Sequence, residues 1–129
     1  MDLLTFAKRI AERVEARAMQ VKVPVAVCVV DVHGNVVLQH RMQGAPLFSL
    51  EIAERKAYTS ALVRLRTDDL LPLVQPGQSL YPLSMVSGGR FCAMGGGVPL
   101  LVETEVVAGV GVSGGTVEED VAIVDSAIA

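Results

Sequence analysis

The stretch Val25–Met42, VAVCVVDVHGNVVLQHRM, sets two β-branched runs on either side of a short polar turn. Val25 to Val32 is too short for a typical helix, and Asp31 and the turn residues His33-Gly34-Asn35 close it. Val36-Val37-Leu38 restarts the apolar run at once, and Gln43-Gly44-Ala45-Pro46 breaks it just beyond Met42. Turn residues between two such runs predict a β-hairpin, with Gly34 and Asn35 best suited to positive φ and Asp31 accepting hydrogen bonds from the turn. A connection this short forces the two strands to be antiparallel neighbours.

Upstream, Leu3, Ala7, Ile10, Ala11, Val14 and Ala18 recur at helical spacing, and Lys8, Arg9, Glu12, Arg13 and Arg17 fill the opposite face. Residues 2 to about 20 therefore predict an amphipathic helix rather than a secretory signal. Downstream, Ser49 is placed to cap a second helix over LEIAERKAYTSALVRL, and Thr67 to cap a short turn through Asp68, Asp69 and Leu70. Pro72 to Pro82 carries three prolines and a glycine and reads as a loop. Short strands are expected around Met85, at Phe91–Met94, at Leu100–Glu103 and at Val106–Val112, with Glu103-Thr104-Glu105 turning between the last two. Thr116-Val117-Glu118-Glu119 is a capping box, and Val117, Val121, Val124 and Ile128 continue it as a final helix. The order α-β-β-α-β-β-β-α, with hairpins at both ends and no βαβ alternation, predicts one α+β domain over residues 1–129.

The 129 residues are 51% hydrophobic and 19% charged, yet no uninterrupted apolar stretch approaches the about 20 residues that a membrane helix needs. So much apolar surface points to burial between subunits, a homo-oligomer. A net charge of −3 argues against nucleic acid, which asks for a basic face. Cys28 and Cys92 lie in apolar runs without CxxC spacing, as buried thiols of a cytoplasmic protein would.

Three features bear on chemistry. GVSGGT, Gly111–Thr116, converges backbone amides at a helix start. It serves either as a strand-to-helix turn or as an anion contact at Ser113, Gly114, Gly115 and Thr116. Gly95-Gly96-Gly97 either bends the sheet or lets a flat ligand approach the backbone. Lys56 falls on a helix face with Ile52, Ala53 and Ser60; pointing inward it needs an anion or carbonyl partner, and otherwise it reaches out to water. His33 lies in the turn and His40 in the second strand beside Arg41, and neither has a partner at zinc-ligand spacing. No serine, cysteine or carboxylate pair forms a nucleophile–base arrangement, which favours binding over turnover.

VAVCVVDVHGNVVLQHRMQGA, ERKAYTSAL, GGGVPLL and VVAGVGVSGGTVEEDVAI occur in this order and spacing. Together they resemble the GlcG/HbpS-like haem-binding family over nearly the whole chain. The loop VQPGQSLYPL is most similar to one branch. That branch comprises the C-terminal domain of PduO-type corrinoid adenosyltransferases and stand-alone relatives encoded with glycerol and propanediol dehydratases. The resemblance implies a profilin-like fold with a five-stranded antiparallel sheet, assembly into dimers and larger closed oligomers, often octamers, and haem as the ligand ahead of a corrinoid. It implies shared positions at Asp31, Gly34, Arg41, Lys56, Gly95–Pro99 and Ser113–Thr116. His33 departs from the glycine or alanine that many relatives carry there. One axial nitrogen is enough to hold haem iron, which makes His33 and His40 the candidate metal donors. Two functions follow as expectations. One is a haem or tetrapyrrole carrier accessory to cobalamin-dependent diol metabolism, with its pocket between Lys56, the glycine run and the SGGT turn. The other is a protein acting on a small carboxylate or diol-derived metabolite in the same pocket.

Overall fold

A computed structural model describes residues 2–129. The amphipathic pattern at the start forms α1 (Leu3–Val21), and the hairpin forms β1 (Ala26–Asp31) and β2 (Val36–Arg41). The turn is held as expected on one side: Asp31 Oδ1 accepts from His33 N (2.9 Å) and Asn35 N (3.0 Å). Gly34 supplies the positive φ of +83°, whereas Asn35 is not among the positive-φ residues. After the break come α2 (Ser49–Val63) and the one-turn α3 (Thr67–Leu70). The chain closes with β3 (Gly97–Val102), β4 (Glu105–Ser113) and α4 (Val117–Ile128). The capping box of α4 is present in both directions, Glu119 N to Thr116 Oγ1 (3.1 Å) and Thr116 N to Glu119 Oε1 (2.8 Å).

The sheet is antiparallel in the order β2-β1-β4-β3, so among the described residues it has four strands where five were expected. The strand expected around Met85 is a pair of 3-10 turns over Tyr81–Gly89, and Phe91–Met94 has no regular pairing. Ser87, Gly88 and Gly89 all take positive φ (57°, 66° and 82°), a run that cannot continue a pleated strand. The two expected N-caps also move. Ser49 lies one position inside α2, after Phe48, and Thr67 lies inside α3, after Arg66. Thr67 Oγ1 instead accepts from Gly97 N (2.9 Å) and fixes the start of β3.

Alternation along β1 divides the interior into two layers. Val25, Val27 and Val29 pack with α1 and α4, while Ala26, Cys28 and Val30 pack with Ala53, Ala57 and Ala61 of α2. On the α2 side the facing residues of β4 are Gly109 and Gly111. A Cβ on Gly109 would strike the Ala57 carbonyl, and one on Gly111 the Ala53 carbonyl. Glycines on the strand and alanines on the helix thus bring α2 into backbone contact with the sheet. Burial pushes the Cys28 thiol in this seam up to about 12, with help from Glu54, so it stays protonated. Among the described residues no helix is long and apolar enough to cross a membrane.

Gly111→Ala drives a methyl into that seam. We expect a loss of stability at or above the top of the roughly 1–3 kcal/mol range of overpacked cores, read by urea denaturation. An unchanged midpoint would contradict the close contact.

Candidate functional site

Lys56 does point inward. Its side chain is 2% exposed, and Nζ donates to the Val112 carbonyl (2.8 Å) and to Asp120 Oδ2 (3.1 Å). The other oxygen of Asp120 accepts from Gly115 N (2.9 Å), an amide of the SGGT turn. Gly96 covers the ammonium at φ +122°, and a Cβ there would lie 2.8 Å from Nζ and 2.7 Å from the Val112 carbonyl. Its own carbonyl accepts from Val112 N (2.9 Å). The ion pair therefore joins α2, β4, α4 and the strand-to-helix turn, and Gly96 of the segment leading into β3 is bonded to the same Val112. Burial pushes the Asp120 carboxyl above the ordinary range, against the opposite pull of the Lys56 charge and the Gly115 amide.

The structure thus brings together Lys56, Gly96 and the 113–116 turn, as the sequence led us to expect, but around a carboxylate of the chain itself. The amides of Gly115 and Thr116 are bonded to Asp120 and Glu119. Gly95 is packed against Val117 and Val121, and a Cβ on Gly97 would meet the Lys56 carbonyl at 2.5 Å. The space above all three glycines is filled, so within one chain no macrocycle fits there. Sequence reasoning did not single out Asp120. The available signal was its place in the first turn of a capped helix, where a carboxylate is favoured, while Lys56 still lacked an anion.

A second network also went unnoticed. Arg66 bonds Asp68 through Nε (3.0 Å) and Asp125 through a terminal nitrogen (2.8 Å), clamping α3 to α4. The same guanidinium holds the Asp68 carboxyl below its ordinary range.

The histidines lie elsewhere. His33 is exposed at the hairpin tip, beside Gly34, which packs on the Tyr58 ring. Tyr58 in turn stacks near Phe91 (5.3 Å between centroids) and under the Arg90 guanidinium (3.9 Å). His40 is half exposed, and its Nδ1 lies 2.9 Å from Glu15 Oε2 of α1. A carboxylate on one ring nitrogen fixes the ring and leaves the other nitrogen for a metal, the usual arrangement around metal-bound imidazole. Arg41, next along β2, is exposed and donates to the Ala45 carbonyl (3.3 Å). A concavity of about 350 Å³ lies between α1, β3 and the end of α4 and is lined by Phe6, Ile10, Arg13, Pro99 and Leu101, among others. It contains no histidine. His40 is thus a histidine whose ring a carboxylate orients, a donor that fits haem iron at the protein surface.

Residues 4–129 match the family described as "Haem degrading protein HbpS-like". The chain belongs to the HbpS-like family. An uncharacterized 15.0 kDa protein of the dhaT-dhaS intergenic region of Citrobacter freundii is 42% identical over 97% of this chain and 88% of its own. The corrinoid adenosyltransferase PduO of Salmonella typhimurium is 42% identical over 88% of this chain, which spans only 34% of PduO. Among solved structures, the PduOC:haem complex superposes with a TM-score of 0.90 at 38% identity, covering 94% of this chain and 88% of that one. The family match over residues 4–129 spans the hairpin, the glycine run and the SGGT turn, the segments that carried the resemblance in the sequence.

Removing one partner of the buried Lys56–Asp120 pair leaves an uncompensated charge. Asp120→Ala is expected to cost about 3–5 kcal/mol in urea denaturation. The double change Lys56→Met, Asp120→Leu should be less damaging than Asp120→Ala alone, and additive losses would show that the two are not coupled.

Proposed function

We propose that this protein binds haem at its surface as a carrier or sensor, with His40 as the axial donor, and that it serves cobalamin-dependent diol or glycerol metabolism. The observation that carries the reading is the Glu15–His40 contact, which orients one exposed imidazole in a chain of the HbpS-like family. The haem complex of a relative 38% identical supports the ligand, and the identity to PduO supports the metabolic setting. The iron of a bound haem supplies ligand exchange and redox chemistry. The chain's part is to present His40 and, through Glu15, to keep its ring from turning. A profilin-like scaffold belongs to the same reading, supported by the two terminal helices lying on one face of the sheet and α2 on the other.

Hemin titration of the purified protein should give a saturable Soret band. His40→Ala is expected to weaken binding at least tenfold and shift the band, while His33→Ala leaves both unchanged. Glu15→Gln should weaken binding by roughly 10–100-fold, as for other carboxylates behind a ligating imidazole. A band identical in the His40→Ala protein overturns this ligand assignment.

The protein also acts as a homo-oligomer in this reading. Support comes from the apolar side chains left exposed on the segment between α3 and β3, with Met85 70% exposed and Leu71, Leu73, Leu80, Tyr81 and Val86 exposed along the same segment. Light scattering should give a mass that is a multiple of 13.6 kDa, and Met85→Glu should lower it. A monomer under all conditions would refute this assembly.

A further inference from the structure

The first turn of α2 holds a polar group that nothing above uses. Ser49 is wholly buried, and its hydroxyl has no hydrogen-bond partner, the one buried side-chain polar atom among the described residues in that state. Leaving such a group without a partner is destabilising, so a ligand that supplies one gains by it. No side chain caps the helix there; the Ser49 amide donates to the Pro46 carbonyl (3.0 Å), which leaves the amides of Leu50 and Glu51 as free donors beside the hydroxyl.

Sheet register brings further polar groups to the same place. Ala26 pairs with Arg41 on one side and Ser113 on the other, so the three form a row across β2, β1 and β4. Ala26 faces α2, and directly paired residues share a face, which puts Arg41 and Ser113 on the α2 side as well. Along β4, Gly109 lies against Ala57 and Gly111 against Ala53. One more step of two strand residues and four helix residues, roughly equal lengths of about 6–7 Å, sets Ser113 opposite Ser49. Gln39, two residues before Arg41, already reaches the Leu50 carbonyl (3.2 Å) from this face.

We propose that Arg41, Ser49, Ser113 and the first-turn amides of α2 form a binding site for a carboxylate carried on an alkyl chain. A monoanion is favoured over phosphate because one guanidinium supplies the charge and Glu51, paired with Arg55 (3.4 Å), lies in the same turn. The exposed Leu47 (86%) and Phe48 (63%) at the helix start offer the apolar wall that an alkyl chain would cover. Arg41 forms none of the ion pairs among the described residues, and its one side-chain bond is to the Ala45 carbonyl (3.3 Å). An arriving carboxylate takes the guanidinium from that carbonyl. This site lies apart from the imidazole of His40: His40 and Arg41, adjacent on β2, face opposite sides of the sheet.

A carboxylate of this kind could come from a free short-chain acid or from a haem propionate. The test is amide NMR of the full-length protein titrated with propionate, and separately with diamagnetic gallium protoporphyrin. Saturable shifts at Ser49, Leu50 and Glu51 are expected, weakened at least tenfold in Arg41→Ala and also reduced in Ser49→Ala. Shifts with propionate identify a free acid, and shifts with the porphyrin alone identify a haem propionate. Ser49→Ala removes an unsatisfied hydroxyl, so its melting temperature should not fall and its loss of binding cannot be put down to unfolding. If neither probe moves these amides, or if the shifts survive in Arg41→Ala, the proposal is wrong.

Discussion

The contact between Lys56 and Asp120 is the constraint around which the rest of the molecule is arranged. Two charges buried together are tolerated only when the remaining donors and acceptors are also matched, because desolvation otherwise outweighs their attraction. Here the ammonium also has the Val112 carbonyl and the carboxylate also has the Gly115 amide. One extra bond reaches β4 and the other the strand-to-helix turn, so satisfying the charges fixes both at once, while the Val112 amide holds the Gly96 carbonyl at the entry into β3. A glycine at position 96 follows from this. Any side chain there would occupy the space between the ammonium and the carbonyl that it bonds.

The same economy of space explains the α2 seam. Ala53, Ala57 and Ala61 recur every four residues along α2, and Gly109 and Gly111 every two along β4. Neither pattern looks significant on its own strand or helix. Laid against each other they match step for step, and the helix backbone descends onto the sheet far enough for Lys56 to reach across to α4. A thicker seam would leave the ammonium short of Asp120.

What the sequence revealed, and what it concealed, divides along this line. The hairpin at Asp31–Asn35, the capping box at Thr116–Glu119 and the face of α1 are local: each depends on residues within a few positions, and each was legible. Ser49 resembled a cap because its type and position suit one, but cap position depends on where the preceding turn delivers the chain. The apolar segment around Met85 resembled a strand because apolar residues were read without their backbone, which Ser87–Gly89 turn left-handed. In the candidate site, Lys56 and the SGGT turn were legible as a cation and an anion seat. Their common partner was not, since Asp120 lies 64 residues from Lys56 and an exposed helix start is an ordinary place for aspartate.

That partner changes what the glycine-rich segments mean for ligands. Groups already satisfied from within the chain gain little from an incoming ligand, because binding must first break the bonds they have. Unsatisfied groups gain most. By that criterion the binding capacity of this fold shifts away from the filled centre and toward β2 and the start of α2. There His40 has one nitrogen held and one unused, and Ser49 has a buried hydroxyl with no partner. Because adjacent strand residues point to opposite faces, His40 and Arg41 can serve two separate sites from neighbouring positions, one for a metal centre and one for an anion. The edge position of β2 makes this possible: a central strand would have both faces covered, as β1 does.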